Sequence, residues 1–124
     1  MLSSFATGTP VPDRRKYAPL PHFLEHVWLG NIDIIRTALS RASGLKVEGD
    51  YPERILKEVD PVTGMNALHI AVGRDNLEIT KLLVEAGIEI IPDKEGRMPS
   101  LIAAICNVSD ELAEYIYEVE ERAP

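Results

Sequence analysis

Residues 64–90 read GMNALHIAVGRDNLEITKLLVEAGIEI, and the fold turns on how this stretch divides into helices and turns. Asn66 stands where a helix needs an N-cap, because its side-chain oxygen can take an amide that the first turn leaves without a partner. A short helix over Ala67 to Gly73 follows, and Asp75-Asn76 supplies turn residues. In the next segment Ile79, Leu82, Leu83 and Ala86 fall at i, i+3, i+4 and i+7, one face of a helix. Gly87 then supplies a residue able to adopt a left-handed C-terminal turn. The stretch is a helix-turn-helix unit with loops on both sides. Its first helix is too short to bury a face alone, and the small Ala67 and Ala71 invite close approach of a neighbour.

Self-comparison supplies that neighbour. A shift of 32 residues lays Gly64 on Gly96, Ala71 on Ala103 and Val72 on Ala104, and a shift of 33 lays Asp60 on Asp93 and Ile79 on Leu112. Leu112 is followed by Tyr115, Ile116 and Val119 at the same helical spacing. Recurrence at about 33 residues marks a stacked repeat architecture.

These residues resemble the ankyrin repeat. Residues 64–90 are similar, position by position, to the family pattern G-x-T-P-L-H-x-A-x-x-x-G-x-x-x-V-V-x-L-L-L-x-x-G-A, with Leu68-His69, Ala71, Leu82-Leu83 and Gly87 at the family's offsets. The departures are Asn66 for threonine, Ala67 for proline and Asp75 for the internal glycine; Asn caps as well as Thr. The following unit keeps Gly96, Pro99, Ala103 and Ala104, lacks the histidine and carries one extra residue before Leu112, so it looks like a capping repeat. Its acidic final helix is expected to keep the open end of the stack wet. PHFLEHVWLGNIDIIRTALSR, residues 21–41, is similar to a degenerate first repeat, with Gly30-Asn31-Ile32 where the later unit reads Asp75-Asn76-Leu77.

The resemblance implies an all-α fold: a short solenoid of about three helix-turn-helix units, at about 22–43, 60–91 and 93–121, with degenerate capping repeats and an insertion at 44–59. It also implies a concave surface, built of loops and first-helix faces, that binds other proteins. Residues 1–21, with Pro10, Pro12, Pro19 and Pro21 and no apolar period, are expected to run as an extended tail. Pro52 is placed to start a short helix over ERILKEV, residues 53–59. Three units are near the minimum for a stable stack, so the chain is expected to be a monomer or weak homodimer, with the docked tail or a second copy as support.

Composition narrows the function. A chain of 124 residues is the size of one ordinary domain, and its 45% apolar and 27% charged residues are those of a soluble globular protein. No apolar run approaches the roughly 18 residues of a membrane span, and the N-terminus lacks the basic start and apolar stretch of a secretory signal. One cysteine, Cys106, allows no internal disulfide, in keeping with a cytoplasmic location. The net charge of -7 is uneven: residues 1–59 carry eight Lys/Arg against seven Asp/Glu, and residues 60–124 carry five against thirteen. The only basic cluster is Arg14-Arg15-Lys16, which makes nucleic acid an unsuitable partner and favours a basic protein steered by the acidic half.

One motif points elsewhere. HFLEH, residues 22–26, has the H-x-x-E-H order of inverted zinc peptidases, and a small metal-dependent hydrolase on His22, Glu25 and His26 is the competing reading. A catalytic zinc needs a third protein ligand and an open position. The remaining histidine, His69, stands at the family's structural position, where its ring can bond the loop at Asn66 instead. Cys106 follows the apolar run LIAAI with no histidine nearby to activate it, and no glycine-rich phosphate loop is present. No catalytic set, metal or cofactor is expected. The candidate partner-binding residues, placed by the repeat frame, are Trp28 and Leu29 at the end of the first helix, Val62, Thr63 and Met65 in one finger, Arg74 at the end of the next short helix, and Lys94, Glu95 and Arg97 in the second finger. Small bacterial ankyrin proteins of this kind include immunity and antitoxin partners, so masking, inhibiting or scaffolding a partner is the expected mode of action.

Overall fold

The computed structural model describes residues 21–44 and 52–123; the expected tail over 1–20 and most of the loop before Pro52 lie outside the described residues. Among the described residues there are seven helices: α1 (His22–Leu29), α2 (Ile32–Gly44), α3 (Pro52–Ile55), α4 (Ala67–Gly73), α5 (Leu77–Glu85), α6 (Pro99–Cys106) and α7 (Asp110–Arg122). α1 packs on α2, α4 on α5 and α6 on α7. The pairs then stack, with α4 between α1 and α6 and α5 between α2 and α7. This is the expected all-α arrangement of stacked helix pairs.

α4 sits at the centre, and every one of its residues is buried. Isolated helices of this length are unstable in water, so α4 exists because both neighbours cover it. Burying Leu68, Ile70 and Val72, each at most 2% exposed, contributes roughly 1.5–3 kcal/mol apiece. The core continues through Leu24 and Val27 of α1, Ile35 of α2, Ile79 and Leu83 of α5, Ile102 of α6, and Leu112 and Ile116 of α7, all fully buried. Of the apolar spacing over residues 79–86, Ile79 and Leu83 are buried and Leu82 half-buried, while Ala86, the C-cap of α5, is exposed.

Each first helix ends on a residue in the left-handed region: Gly30 (φ 75°), Asp75 (φ 56°) and Asn107 (φ 53°). Asp and Asn tolerate this conformation better than other L-residues, which explains why the family's glycine is dispensable at 75. Asp75 also gains a partner there, since its Oδ1 accepts from the Ser109 amide at 3.1 Å and the Ser109 hydroxyl at 3.0 Å. The extra residue of the last unit falls at Val108, between Asn107 and the cap Ser109.

The helix expected over 53–59 is shorter than its sequence suggested. α3 stops at Ile55, and Lys57 and Glu58 donate to Arg54 and Ile55 in tight turns. Val59 then pairs with Asn66 in an antiparallel bridge, which pulls the chain out of helix and into the first finger.

Candidate functional site

The fingers are built by two aspartates. Asp60 begins the first: its Oδ1 accepts from the Val62 amide at 3.0 Å and its Oδ2 from the Thr63 hydroxyl at 2.7 Å, while its own amide donates to Met65 O at 2.8 Å. Asp93 repeats the scheme one unit later, accepting from the amides of Glu95 (2.9 Å) and Arg97 (2.8 Å) and from Arg97 Nε (2.8 Å). Burial works to raise the Asp93 pKa, but the bonds from Arg97 and Glu95 outweigh it and hold the carboxyl below its usual range. The fingers join where the Lys94 amide donates to Thr63 O at 3.0 Å and the Lys94 ammonium donates to Pro61 O. Gly64, with φ 76°, lies under this junction: a Cβ there would stand 2.7 Å from Lys94 N.

His69 ties helix to finger. Its Nδ1 accepts from the Asn66 amide at 3.2 Å, so that nitrogen carries no proton, and Nε2–H donates to Arg97 O at 2.9 Å in the next finger. The Asn66 side chain completes the box by accepting from the His69 amide at 3.1 Å and donating to Glu89 O at 3.0 Å. Burial lowers the His69 pKa, against the weaker opposing effects of the Arg97 carbonyl and the Asp93 charge, and favours this neutral, bridging ring. The ring is therefore structural, as expected, and it links two units rather than one loop.

Not all expected contact residues face outward. Thr63 (5% exposed) and Met65 (2%) are buried, a correction to their place among the binding residues. The Thr63 hydroxyl is held by Asp60 and accepts from the Met65 amide at 3.2 Å, and the Met65 side chain joins the core. Arg97 is mostly occupied with Asp93, whose side chain is fully buried beside it. Val62 is half-buried, while Pro61, Lys94 and Glu95 are exposed. These residues form the rim of the fingers.

A second cluster lies at the other end of the short helices, about 11 Å away along α4 by the rise of a seven-residue helix. The Arg74 guanidinium sits 5.0 Å from the centre of the Trp28 ring, and Arg74 Nε donates to Trp28 O at 3.1 Å. Trp28 and Arg74 are half-buried, Gly73 is buried, and Leu29 is 60% exposed. Trp28 thus both packs and presents an edge. Tryptophan and arginine are residue types enriched at interface hot spots, and here they stand beside an exposed apolar side chain.

On the HFLEH helix the two histidines face each other. His22 Nε2 and His26 Nε2 are 3.2 Å apart, and the Asn31 side-chain Nδ2 donates to His26 Nδ1 at 3.0 Å, which leaves the His26 proton on Nε2, pointing at His22. Metal-binding histidines have the reverse order, donating from the far nitrogen to an acceptor. No group of three metal-ligand residues occurs among the described residues.

Two contributions escaped the sequence reading. Met98 cannot cap α6, and Glu120 does so from α7, accepting from the Ser100 amide and hydroxyl, each at 2.6 Å. No local signal could reveal a cap 20 residues away. The turn-forming role of Asp60 and Asp93 did carry a signal, their superposition at a shift of 33.

Stacked helix pairs, joined along one edge by hydrogen-bonded fingers and a ring-to-finger bridge, define a helical repeat solenoid. A family model described as ankyrin repeats (3 copies) matches residues 25–123. The chain belongs to the ankyrin repeat family, whose members are general protein-interaction modules. No match was found among curated proteins. Among the described residues no helix is long and apolar enough to cross a membrane.

Proposed function

We propose that this chain is a non-catalytic module that binds a partner protein through two patches, the finger rim of Pro61, Val62, Lys94 and Glu95, and the ridge of Trp28, Leu29 and Arg74. The observation that carries this reading is Leu29, 60% exposed beside an arginine-covered tryptophan. The acidic balance of residues 60–124 supports a basic partner, attracted over a Debye length and masked or inhibited on contact. An immunity-type inhibitor of a basic toxin is one form of this reading.

The test is capture of partners from native cells by the tagged wild-type chain, with Leu29→Asp and Lys94→Glu variants alongside. One protein retained near one-to-one by the wild type, and released by Leu29→Asp, is the expected result. Retention unchanged in both variants, or stoichiometric zinc in the purified chain, would refute this surface and reopen the hydrolase.

A further inference from the structure

α6 and α7 share an uncovered face at the end of the stack. On it Leu101 is 46% exposed, Ala104 one turn on is exposed as well, and Tyr117 of α7 is 66% exposed. The Ser100 amide and hydroxyl both reach the Glu120 carboxylate at 2.6 Å. Leu101, next to Ser100, and Tyr117, one turn before Glu120, therefore flank the seam between the two helices. Glu114 and Glu121 lie three residues before and four after Tyr117, on the same side of α7, and Glu118 adjoins them. All three are exposed, and among the described residues none forms an ion pair. Glu114 and Glu118, four apart, repel each other along the helix. Helix stability thus gives no reason for this acidic row, and a cap that only keeps the end wet gives none for Leu101 and Tyr117.

We propose that this face is a docking surface for a basic amphipathic helix of a partner protein. The apolar stripe of that helix lies along the seam over Leu101, Ala104 and Tyr117, and its lysines or arginines meet Glu114, Glu118 and Glu121. A helix suits the face better than an extended segment, because α6 and α7 bond their backbones internally and offer no strand edge to pair with. α7 has 13 residues and is about 20 Å long, room for roughly three and a half turns of a partner helix. The neighbouring aromatic of α7 already takes a cation: Lys81 Nζ stands 5.6 Å from the centre of the Tyr115 ring. Tyr117 offers the same chemistry to a cation from outside. A second copy is the poorer occupant, since it would set one acidic row beside another. The surface is separate from the finger rim and the Leu29 ridge, and it rests on the proposed function only for the basic character of the partner.

Titration of the isotope-labelled chain with a leucine-lysine peptide of about 18 residues, its leucines spaced to line one helix face, tests the assignment. The expected result is saturable shifts of the Leu101, Ala104 and Tyr117 amide signals, with Leu29 and Arg74 unmoved, and affinity that falls as salt rises. Leu101→Ser combined with Tyr117→Ser, at two exposed positions, should weaken binding about tenfold, whereas Leu29→Asp should leave it unchanged. Glu114→Gln, Glu118→Gln and Glu121→Gln together should remove most of the salt dependence. Equal binding of a peptide of the same composition with its leucines scrambled off one face would overturn the proposal, as would unchanged affinity in the double serine variant. Shifts at the Leu29 ridge instead would also overturn it, while leaving the proposed function standing. Movement of the Leu101 and Tyr117 signals on concentrating the peptide-free chain would assign the face to a second copy, again against the proposal.

Discussion

Replacing Gly64 by alanine should destabilise the stack more than the same change at Gly96, although both glycines occupy the same turn position in successive fingers. Each has positive φ, 76° and 79°, which costs an L-residue roughly 1–2 kcal/mol. Reduced freedom of the unfolded chain returns roughly 0.4–1 kcal/mol in both. At Gly96 nothing lies within 4 Å of the new Cβ, and the account ends there. At Gly64 the Cβ meets Lys94 N and Cγ, each at 2.7 Å, closer than real Cβ contacts occur. The side chain can swing aside, but the backbone nitrogen cannot move without stretching its 3.0 Å bond to Thr63 O. Loss of that bond adds roughly 0.5–1.5 kcal/mol. Gly64→Ala should therefore unfold at lower urea than Gly96→Ala by about 1 kcal/mol, a difference of roughly 4 °C in melting temperature for a chain of this size. Equal losses in the two variants would refute the claim that the fingers are locked through the backbone at this point.

His69→Ala removes a ring that satisfies the Asn66 amide and the Arg97 carbonyl, and it should cost about 2–4 kcal/mol in urea unfolding. Because burial places the folded-state pKa of His69 below the usual value of about 6.5, its stability contribution is complete above that pH. It is lost as pH falls through the folded-state value, since the unfolded chain takes up the proton first; His69→Gln should flatten this part of the pH profile, and an unchanged profile would contradict it. A second loss is expected below the ordinary carboxylate range, where Asp93 protonates in the unfolded chain before the folded one, and Asp93→Asn should abolish it. Glu120→Ala should cost roughly 0.5–2 kcal/mol by uncapping α6, with Glu120→Gln milder, as read from urea midpoints. Trp28→Ala should weaken partner binding with helicity and melting largely retained; a large drop in melting temperature would assign Trp28 to packing alone.

The features legible in the sequence were those set by local chemistry and periodicity. The spacing of Ile79, Leu82 and Leu83, the cap at Asn66 and the placement of His69 follow from helix geometry and from which atoms a short side chain can reach. The residues misjudged lie where tertiary contacts decide. Val59 was placed in the helix that Pro52 is suited to start, yet pairing with Asn66 drew it into a finger. Thr63 and Met65 looked like tip residues, but Asp60 turns the finger so that both point inward. At the surface, Leu29 was correctly exposed, whereas the stacking of Arg74 on Trp28 depends on two helices 46 positions apart in sequence and has no signature in either.

Leu101 occupies in the third unit the place that His69 holds in the second, since 69 plus the 32-residue shift is 101. It is 46% exposed, and Tyr117, standing 33 residues after the half-buried Val84, is 66% exposed. Two apolar side chains thus lie exposed in the last unit alongside the acidic residues Asp110, Glu111, Glu114, Glu118 and Glu121 of α7, and no ring nitrogen stands where His69 would place one. A leucine at this position offers apolar surface but no donor, so it cannot repeat the contact that His69 Nε2–H makes with Arg97 O. For anyone lengthening this solenoid by design, Leu101→His would be the first change, ahead of any redesign of α7, because it restores one of the directional contacts, beside those of Lys94 with Thr63 and Ser109 with Asp75, that seat one unit on the next.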